Sequence, residues 1–343
     1  MTDIDPDDRE AARERRRALL GLKLRALVRD HLDDPEVPEA VAFAPGAALL
    51  HRDEAWVYLD DEPTARLGAA LAWTIRSGAA ALHVVAEQGT GVLARRAEQF
   101  SLPISVWHAV ERSLFPAVPE PIRPPAPVPD AHEALRQRIV EGGAEPVVEH
   151  GVLVGEVHGL EVCRVVDDPF TGSTRLEVGV GAHDREAFQM IHGDIPTVES
   201  LARISDAVAR HRVPGAPQHP LNRLAAERLI RWRLEQQPEL VGARRLAASS
   251  PPVPRTNLKD PVPCVATGEG VDGETVVVVC ASGVDLDLIP FAADARRAAE
   301  EAASPGVGRG IRLVVAIPSR DRVRVIDELA GLLREPVEFA AVD

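Results

Sequence analysis

The same order of predicted elements occurs twice in this chain, at residues 54–110 and 274–342. Each stretch predicts a strand, an acidic loop, a helix, a second strand, a second helix and a third strand. Strands separated by helices of this length pair in parallel through right-handed crossovers. The repetition therefore predicts an α/β fold with a β-α-β-α-β unit at each end of the chain. We interpret it as an internal duplication; chance similarity between two such units is the alternative.

The middle of the chain has a different character. Residues 131–180 contain short β runs that are broken by glycine, which predicts an antiparallel β-meander, and helical periodicity follows it. Two proline-rich stretches, 116–130 and 249–263, are predicted to be linkers, because proline lacks a backbone N–H and breaks regular structure. The predicted domains are an N-terminal helix with the first α/β unit (1–115), the central meander and helices (131–248) and the second α/β unit (264–343).

The net charge of −14 over 343 residues restricts the partners that the chain can bind. Such a charge repels nucleic-acid phosphate and anionic lipid, so nucleic acid is disfavoured as a partner. No apolar run is long enough to span a membrane, so we expect no membrane association. The polar, charged first residues do not resemble a secretory signal, and we expect a cytoplasmic location. The remaining expectation is a protein partner or self-association.

Lysine is almost absent, since Lys23 and Lys259 are the only two in a chain with 37 arginines. No GK[ST] string occurs, which excludes a P-loop. Lys23 falls in an amphipathic helix predicted over 8–32, whose Leu20, Leu24, Leu27 and Val28 share one face. We interpret that helix as a docking helix with exposed charge. Neither lysine has the desolvated setting that a Schiff-base enzyme needs.

A second basic helix is predicted over residues 219–236. It places arginines, Arg228 and Arg231 among them, around leucines and Trp232. A guanidinium group suits phosphate or an acidic partner. Because the chain is acidic overall, an internal docking helix is the interpretation that we favour.

Carboxylates follow the first strand of both α/β units: Asp60 and Asp61 in one, Asp285 and Asp287 in the other. Ligands of open parallel sheets bind beyond the carboxyl ends of the strands. Carboxylate oxygens there are suitable ligands for a divalent metal such as Mg²⁺. The alternative is helix capping, in which an aspartate accepts hydrogen bonds from the N–H groups of a first helical turn.

A glycine pattern in the first unit suggests a nucleotide. Gly89, Gly91 and Ala94 fit G-x-G-x-x-A after a predicted strand, and Glu111 follows 22 residues beyond Gly89, where a ribose-binding acid is expected. However, Glu87 brings negative charge close to a bound pyrophosphate. The alternative is a glycine turn that opens a helix.

The meander supplies the candidate catalytic residues, Glu156, His158, Glu177, His183 and Asp184. Glu156 and His158 alternate along one strand and so share one face. A cluster of carboxylates and imidazoles binds a divalent metal or performs acid–base chemistry. The alternative is that the histidines lie in turns and that the acids belong to a solvated sheet face.

Residues 131–192, a helix followed by acid-bearing strands, resemble the core of restriction-endonuclease-like PD-(D/E)XK nucleases. The resemblance implies metal-dependent phosphodiester hydrolysis. The lysine of that motif is missing, because Val178 and Gly179 follow Glu177, and this departure implies a degenerate or inactive nuclease. Two further segments, LEVGVGAHDREAFQMIHGD (176–194) and NLKDPVPCVA (257–266), resemble a family of soluble proteins from high-GC bacteria for which no activity is known. That resemblance implies a shared fold and nothing about mechanism.

Three functions remain after these exclusions. The first is a non-enzymatic interaction or regulatory module. The second is a metal-dependent hydrolase, similar to a nuclease or phosphoesterase, that uses the carboxylate and histidine clusters. The third is a nucleotide-binding protein that uses the Gly89 turn. The sequence leaves open whether the chain is an enzyme and whether it holds a cofactor, a divalent metal being the candidate.

Overall fold

A computed structural model describes residues 6–44, 46–181, 185, 197–213, 219–254, 262–303 and 310–342, with side chains from Glu14 onward. Its α-helices are α1 (Pro6–Leu32), α2 (Leu67–Ser77), α3 (Thr90–Ala97), α4 (Asp130–Glu133), α5 (Arg136–Glu141), α6 (Thr197–His211), α7 (Ala226–Gln236), α8 (Leu288–Ala302) and α9 (Arg324–Ala330). Its strands are β1 (Val41–Phe43), β2 (Gly46–His51), β3 (Glu54–Leu59), β4 (Ala81–Ala86), β5 (Ile104–Val110), β6 (Ser113–Pro116), β7 (Glu145–Glu149), β8 (Val152–Val157), β9 (Leu160–Asp167), β10 (Thr174–Val178), β11 (Ala243–Ser249), β12 (Cys264–Gly270), β13 (Thr275–Cys280), β14 (Arg312–Ile317) and β15 (Glu338–Ala341).

The strands form three sheets, and the predicted α/β class is confirmed. The first sheet has the order β1-β2-β3-β4-β5-β6, the second β10-β9-β8-β7 and the third β11-β12-β13-β14-β15. Strands β3, β4 and β5 are parallel, as are β13, β14 and β15. The second sheet is antiparallel throughout, as predicted for the meander.

The two end sheets share more than the predicted units. Each begins with antiparallel strands, β1 and β2 in the first and β11 and β12 in the third, that lead into the three parallel strands. Each is also preceded by a helix that packs on these strands, α1 on β2 and β3, and α7 on β11 and β12. The order of elements is therefore the same at both ends up to the third parallel strand, after which the first sheet adds β6 antiparallel to β5, while duplication as its origin stays a prediction.

The chain forms two compact units. The first comprises Met1–Pro121, Val284–Asp294 and Val323–Pro336, and the second Ile122–Gly283, Ala295–Arg322 and Val337–Asp343. In the first unit, apolar residues of α1 pack on those of β2 and β3. In the second, α6 covers the antiparallel sheet and α7 covers the third sheet. The predicted division into three domains stays a prediction.

A buried network of ion pairs holds α7 inside the second unit. Arg231 is fully buried and donates hydrogen bonds to Glu149 Oε1 at 2.8 Å and to Glu156 Oε2 at 2.5 Å. Arg228 contacts the same two carboxylates. These arginines neutralise the buried Glu156 and hold its pKa below the ordinary value, although burial alone raises it. The basic helix is thus an internal docking helix, as we favoured.

Glu156→Gln tests how strongly this network stabilises the second unit. We expect a loss of roughly 3 kcal/mol in the free energy of unfolding, because two buried guanidinium groups lose a charge partner. Urea unfolding measures it. Glu199→Gln is the matched control, because Glu199 pairs with Arg203 on the surface of α6 at 2.5 Å, with side chains that are 55% and 67% exposed. A similar loss in both variants would contradict the expectation.

Candidate functional site

A cleft of about 520 Å³ opens at the carboxyl end of β3. This is the edge of a parallel sheet where ligands of open α/β folds bind. The cleft has one wall from α1 and another from the first turn of α2, and the strand end lies between them. It is lined by Arg16, Arg17, Leu20, Ala44, Gly46, Asp60, Asp61, Arg66 and Ala69.

The apolar face of α1 fixes the position of its charged residues. Leu24, Leu27 and Val28 are buried against a sheet face that carries Trp56 and Tyr58. Arg16 and Lys23 are seven residues apart, which is two turns, so both lie on one side of the helix. The docking of α1 therefore carries both cations to the carboxyl ends of β3 and β4.

Arg16 neutralises the first of the predicted strand-end acids. Its Nη2 atom lies 2.6 Å from Asp60 Oδ2, and its Nε donates to the same oxygen at 2.8 Å. The pair spans the cleft wall between α1 and the loop after β3. Asp60 is therefore held by a guanidinium group and is not free as a metal ligand.

Lys23 and Tyr58 form a hydrogen-bonded group with Glu87 at the same edge. Lys23 Nζ donates to Tyr58 Oη at 2.9 Å and to Glu87 Oε1 at 2.5 Å, and it lies 4.9 Å from the centre of the Tyr58 ring. Burial lowers the pKa of Lys23, but the bonds to Glu87 and Tyr58 more than offset this, so that the pKa is raised. Burial raises the pKa of Tyr58. Both groups are therefore protonated near neutral pH.

The cleft lining carries more positive than negative charge. Arg17 is exposed and forms no ion pair within the described residues. Arg66 lies 3.9 Å from the exposed Glu62, and its charge also acts on Asp287. Three guanidinium groups thus face two carboxylates, Asp60 and Asp61, among the residues that line the cleft. In a chain with a net charge of −14, the lining is therefore positively charged, although the acidic Glu62 and Asp287 lie beside Arg66.

The acids of the second predicted cluster, Asp285 and Asp287, accept hydrogen bonds from backbone N–H groups. Asp287 Oδ1 accepts a hydrogen bond from the N–H of Gly68, in the first turn of α2, at 3.0 Å. Asp285 Oδ1 accepts one from the N–H of Asp287 at 2.9 Å. The loop lies so close to α2 that a Cβ at Gly68 would be 1.9 Å from the Leu286 carbonyl oxygen. Capping therefore accounts for Asp287, although the capped helix is α2 and not the helix that follows it, while Asp285 closes a turn onto the N–H of Asp287.

Each candidate catalytic residue of the meander that the structure describes is engaged by a neighbouring side chain or backbone group. Glu177 pairs with Arg175 at 2.8 Å, while Glu156 belongs to the buried network. His158 stacks on Trp232, with ring centroids 4.1 Å apart, and its Nδ1 lies 2.5 Å from the Arg212 carbonyl oxygen. His183 and Asp184 lie outside the described residues. Within the part of the chain that is described, no three histidine, cysteine, aspartate or glutamate side chains are grouped to hold a metal ion.

The glycine pattern opens α3. Gly89 has φ +63° and precedes Thr90, the first residue of the helix. A Cβ at Gly89 would lie 2.5 Å from Thr64 Cγ2, and one at Gly91 would lie 2.9 Å from Glu120 Cβ. Glu111 also has positive φ and lies in the turn between β5 and β6. Neighbouring segments of the chain lie so close to Gly89 and Gly91 that a larger residue would clash at either position. This accounts for both glycines, as the glycine-turn alternative expects.

Five residues of this edge were missed by sequence reasoning: Arg16, Arg17, Lys23, Tyr58 and Arg66. Rarity was the available signal, because Tyr58 is the only tyrosine of the chain and Lys23 one of two lysines. For Arg17 and Arg66 the sequence carries no such signal, since arginine is abundant. Arg17 and Arg66 line one cleft only because α1 docks beside the start of α2.

The buried Asp287 predicts a pH dependence of stability. Burial raises its pKa from 3.8 to about 6, so the folded protein holds this proton more tightly than the unfolded chain does. Stability is therefore lost as the pH rises from about 4 to about 6. Asp287→Asn keeps the acceptor for Gly68 and removes the charge, so we expect it to gain roughly 2 kcal/mol near pH 7.5 and nothing near pH 4.

Thermal melts across this pH range measure the effect. Asp206→Asn, an exposed aspartate of α6, is the control and should change little at either pH. A gain for Asp287→Asn that does not depend on pH, or a loss near pH 7.5, would contradict the assignment.

Comparison with known proteins finds no match for this chain. The chain matches no family model, and neither the curated proteins nor the solved structures include one that is significantly similar to it. Among the described residues, none of the helices combines the length and apolar character needed to cross a membrane. The interpretation of the site therefore depends on its own residues.

Proposed function

We propose that this chain is a non-enzymatic binding protein, of an interaction or regulatory kind. Its site is the cleft at the carboxyl end of β3, and its ligand is a small molecule with an anionic group. The observation that carries this proposal is the locally basic lining, with Arg17 and Arg66 at the edge of a parallel sheet in an acidic chain.

The size and position of the cleft support a small ligand. Its volume of about 520 Å³ is within the range of small-molecule sites. A guanidinium group binds a carboxylate or phosphate through paired, charge-assisted hydrogen bonds.

The ionisation of the edge supports binding over catalysis. A general base works best with a pKa near the working pH. The pKa values of Lys23 and Tyr58 are both raised, so both groups stay protonated near neutral pH and neither suits the role of a general base. Asp60 is held by Arg16. The group around Lys23 therefore fits a structural role, because it joins α1 to the ends of β3 and β4.

The proposal is tested by calorimetric titration with four probes: inorganic phosphate, citrate, glucose 6-phosphate and AMP. We expect saturable, metal-independent binding of at least one probe. Arg17→Ala and Arg66→Ala should each weaken it by about tenfold or more, because each removes a charge-assisted hydrogen bond. Arg76→Ala, an exposed arginine near the other end of α2, is the matched control.

Two outcomes would contradict the proposal. One is that none of the four probes binds. The other is binding that needs Mn²⁺, survives Arg17→Ala and is lost in Glu177→Ala, which would favour the metal-dependent hydrolase.

A further inference from the structure

The charged side chains that line the cleft beyond β3 fall into a paired set and a remaining set. Arg16 and Asp60 form the paired set, because the Arg16 contacts at 2.6 and 2.8 Å both go to Asp60 Oδ2. Arg17, Asp61 and Arg66 remain. An ion pair within the lining presents little net charge to a ligand, so the three remaining groups determine which ligand charges the cleft favours.

Asp61 is the remaining carboxylate of the cleft. Its side chain is exposed, and over the ranges that the structure describes it forms neither a hydrogen bond nor an ion pair. It acts on Arg16 through space only, since the hydrogen bond of Arg16 goes to Asp60. In a cleft that receives anions, such a carboxylate repels the ligand unless the ligand also carries a positive charge. An ammonium group, which has three donors and no acceptor, suits this position.

Arg17 and Arg66 supply the two remaining positive charges, and they come from different elements. Arg17 belongs to α1, whereas Arg66 directly precedes the first residue of α2. The contact of Arg66 with Glu62 is loose, because the two side chains are 3.9 Å apart and that of Glu62 is 73% exposed. Each guanidinium group can therefore take a carboxylate or phosphate group of a ligand.

We propose that the ligand of this cleft carries two negative charges and one ammonium group, as an acidic amino acid or an amino-substituted phosphate monoester does. The negative charges pair with Arg17 and Arg66, and the ammonium group donates hydrogen bonds to Asp61. Such a ligand balances the three remaining charges, whereas a simple anion leaves Asp61 unpaired beside its own negative charge. The inference rests on the proposed function, because it concerns the same cleft and narrows the class of ligand.

The uncharged part of the lining fits a short carbon chain. Leu20, Ala44 and Ala69 supply apolar surface for the methylene groups of such a ligand. Among the described residues that line the cleft, none has a hydroxyl, amide or imidazole side chain. The side chains of the lining therefore select a ligand by its charges and not by hydrogen bonds to sugar hydroxyl groups or to a base.

Calorimetric titration of the full chain with two matched pairs of ligands tests the inference. The first pair is L-glutamate and glutarate, and the second is phosphoethanolamine and ethyl phosphate. The members of each pair differ only in the ammonium group, and the two pairs distinguish a carboxylate from a phosphate ligand. We expect the ammonium-bearing member of at least one pair to bind about fivefold tighter or more, because it forms a charge-assisted hydrogen bond to Asp61.

Asp61→Asn identifies the contact that makes this difference. It should weaken binding of the ammonium-bearing ligand and strengthen binding of its counterpart, since the carboxylate attracts the first and repels the second. Asp53→Asn is the matched control, because Asp53 is exposed and precedes β3 at the opposite end of that strand. It should leave the binding of both ligands unchanged. Thermal melts establish that both variants fold.

Four outcomes would overturn the inference. They are equal binding within each pair, tighter binding of the ammonium-free members, a change in the same direction for both members in Asp61→Asn, and no binding of either pair. The four probes of the proposed function, titrated into Arg17→Ala and Arg66→Ala, decide that function separately. If they bind as expected while the matched pairs show no preference, the cleft receives anions and this inference alone fails.

Discussion

The packing of α1 on the first sheet is the interaction on which the candidate site depends. Leu24, Leu27 and Val28 are buried against the face that carries Trp56 and Tyr58. Burial of side chains of this size stabilises a docked helix by about 1.5–3 kcal/mol each. Because the helix is fixed in this way, its charged residues lie at the carboxyl ends of β3 and β4. Without α1, this edge would present mainly carboxylates; with it, the lining of the cleft carries more positive than negative charge.

Arginine–carboxylate pairs recur in the interior of both units. In the first unit, Asp294 on α8 is fully buried and accepts hydrogen bonds from Arg95 at 2.8 and 2.9 Å and from Arg96 at 3.1 Å. In the second, α7 is held by the network around Glu156. The planar guanidinium group binds a carboxylate through two parallel bonds, which suits it to buried pairs. Buried arginines therefore neutralise acids such as Asp294 and Glu156 inside the protein. From the sequence alone, acids of this kind are easily assigned to a metal site.

Periodicity was sufficient to predict the layered α/β ends and the antiparallel middle, because strand and helix spacing is a local property. The partners of individual side chains were not predictable in the same way. Asp287 caps a helix whose Gly68 lies 219 residues earlier, and Glu156 meets arginines 72 and 75 residues later. Such pairings depend on the docking of whole elements. The nearest local signal was composition: the only tyrosine and one of two lysines are hydrogen-bonded to each other.

Backbone amide chemical shifts of the isotopically labelled chain, followed as citrate and inorganic phosphate are added, test the central claim that the edge beyond β3 receives an anion. We expect the largest shifts to fall on Gly46, Asp61 and Ala69, which line the cleft, and we expect these shifts to saturate. Shifts concentrated on the second unit, or a linear drift without saturation at these three positions, would contradict it.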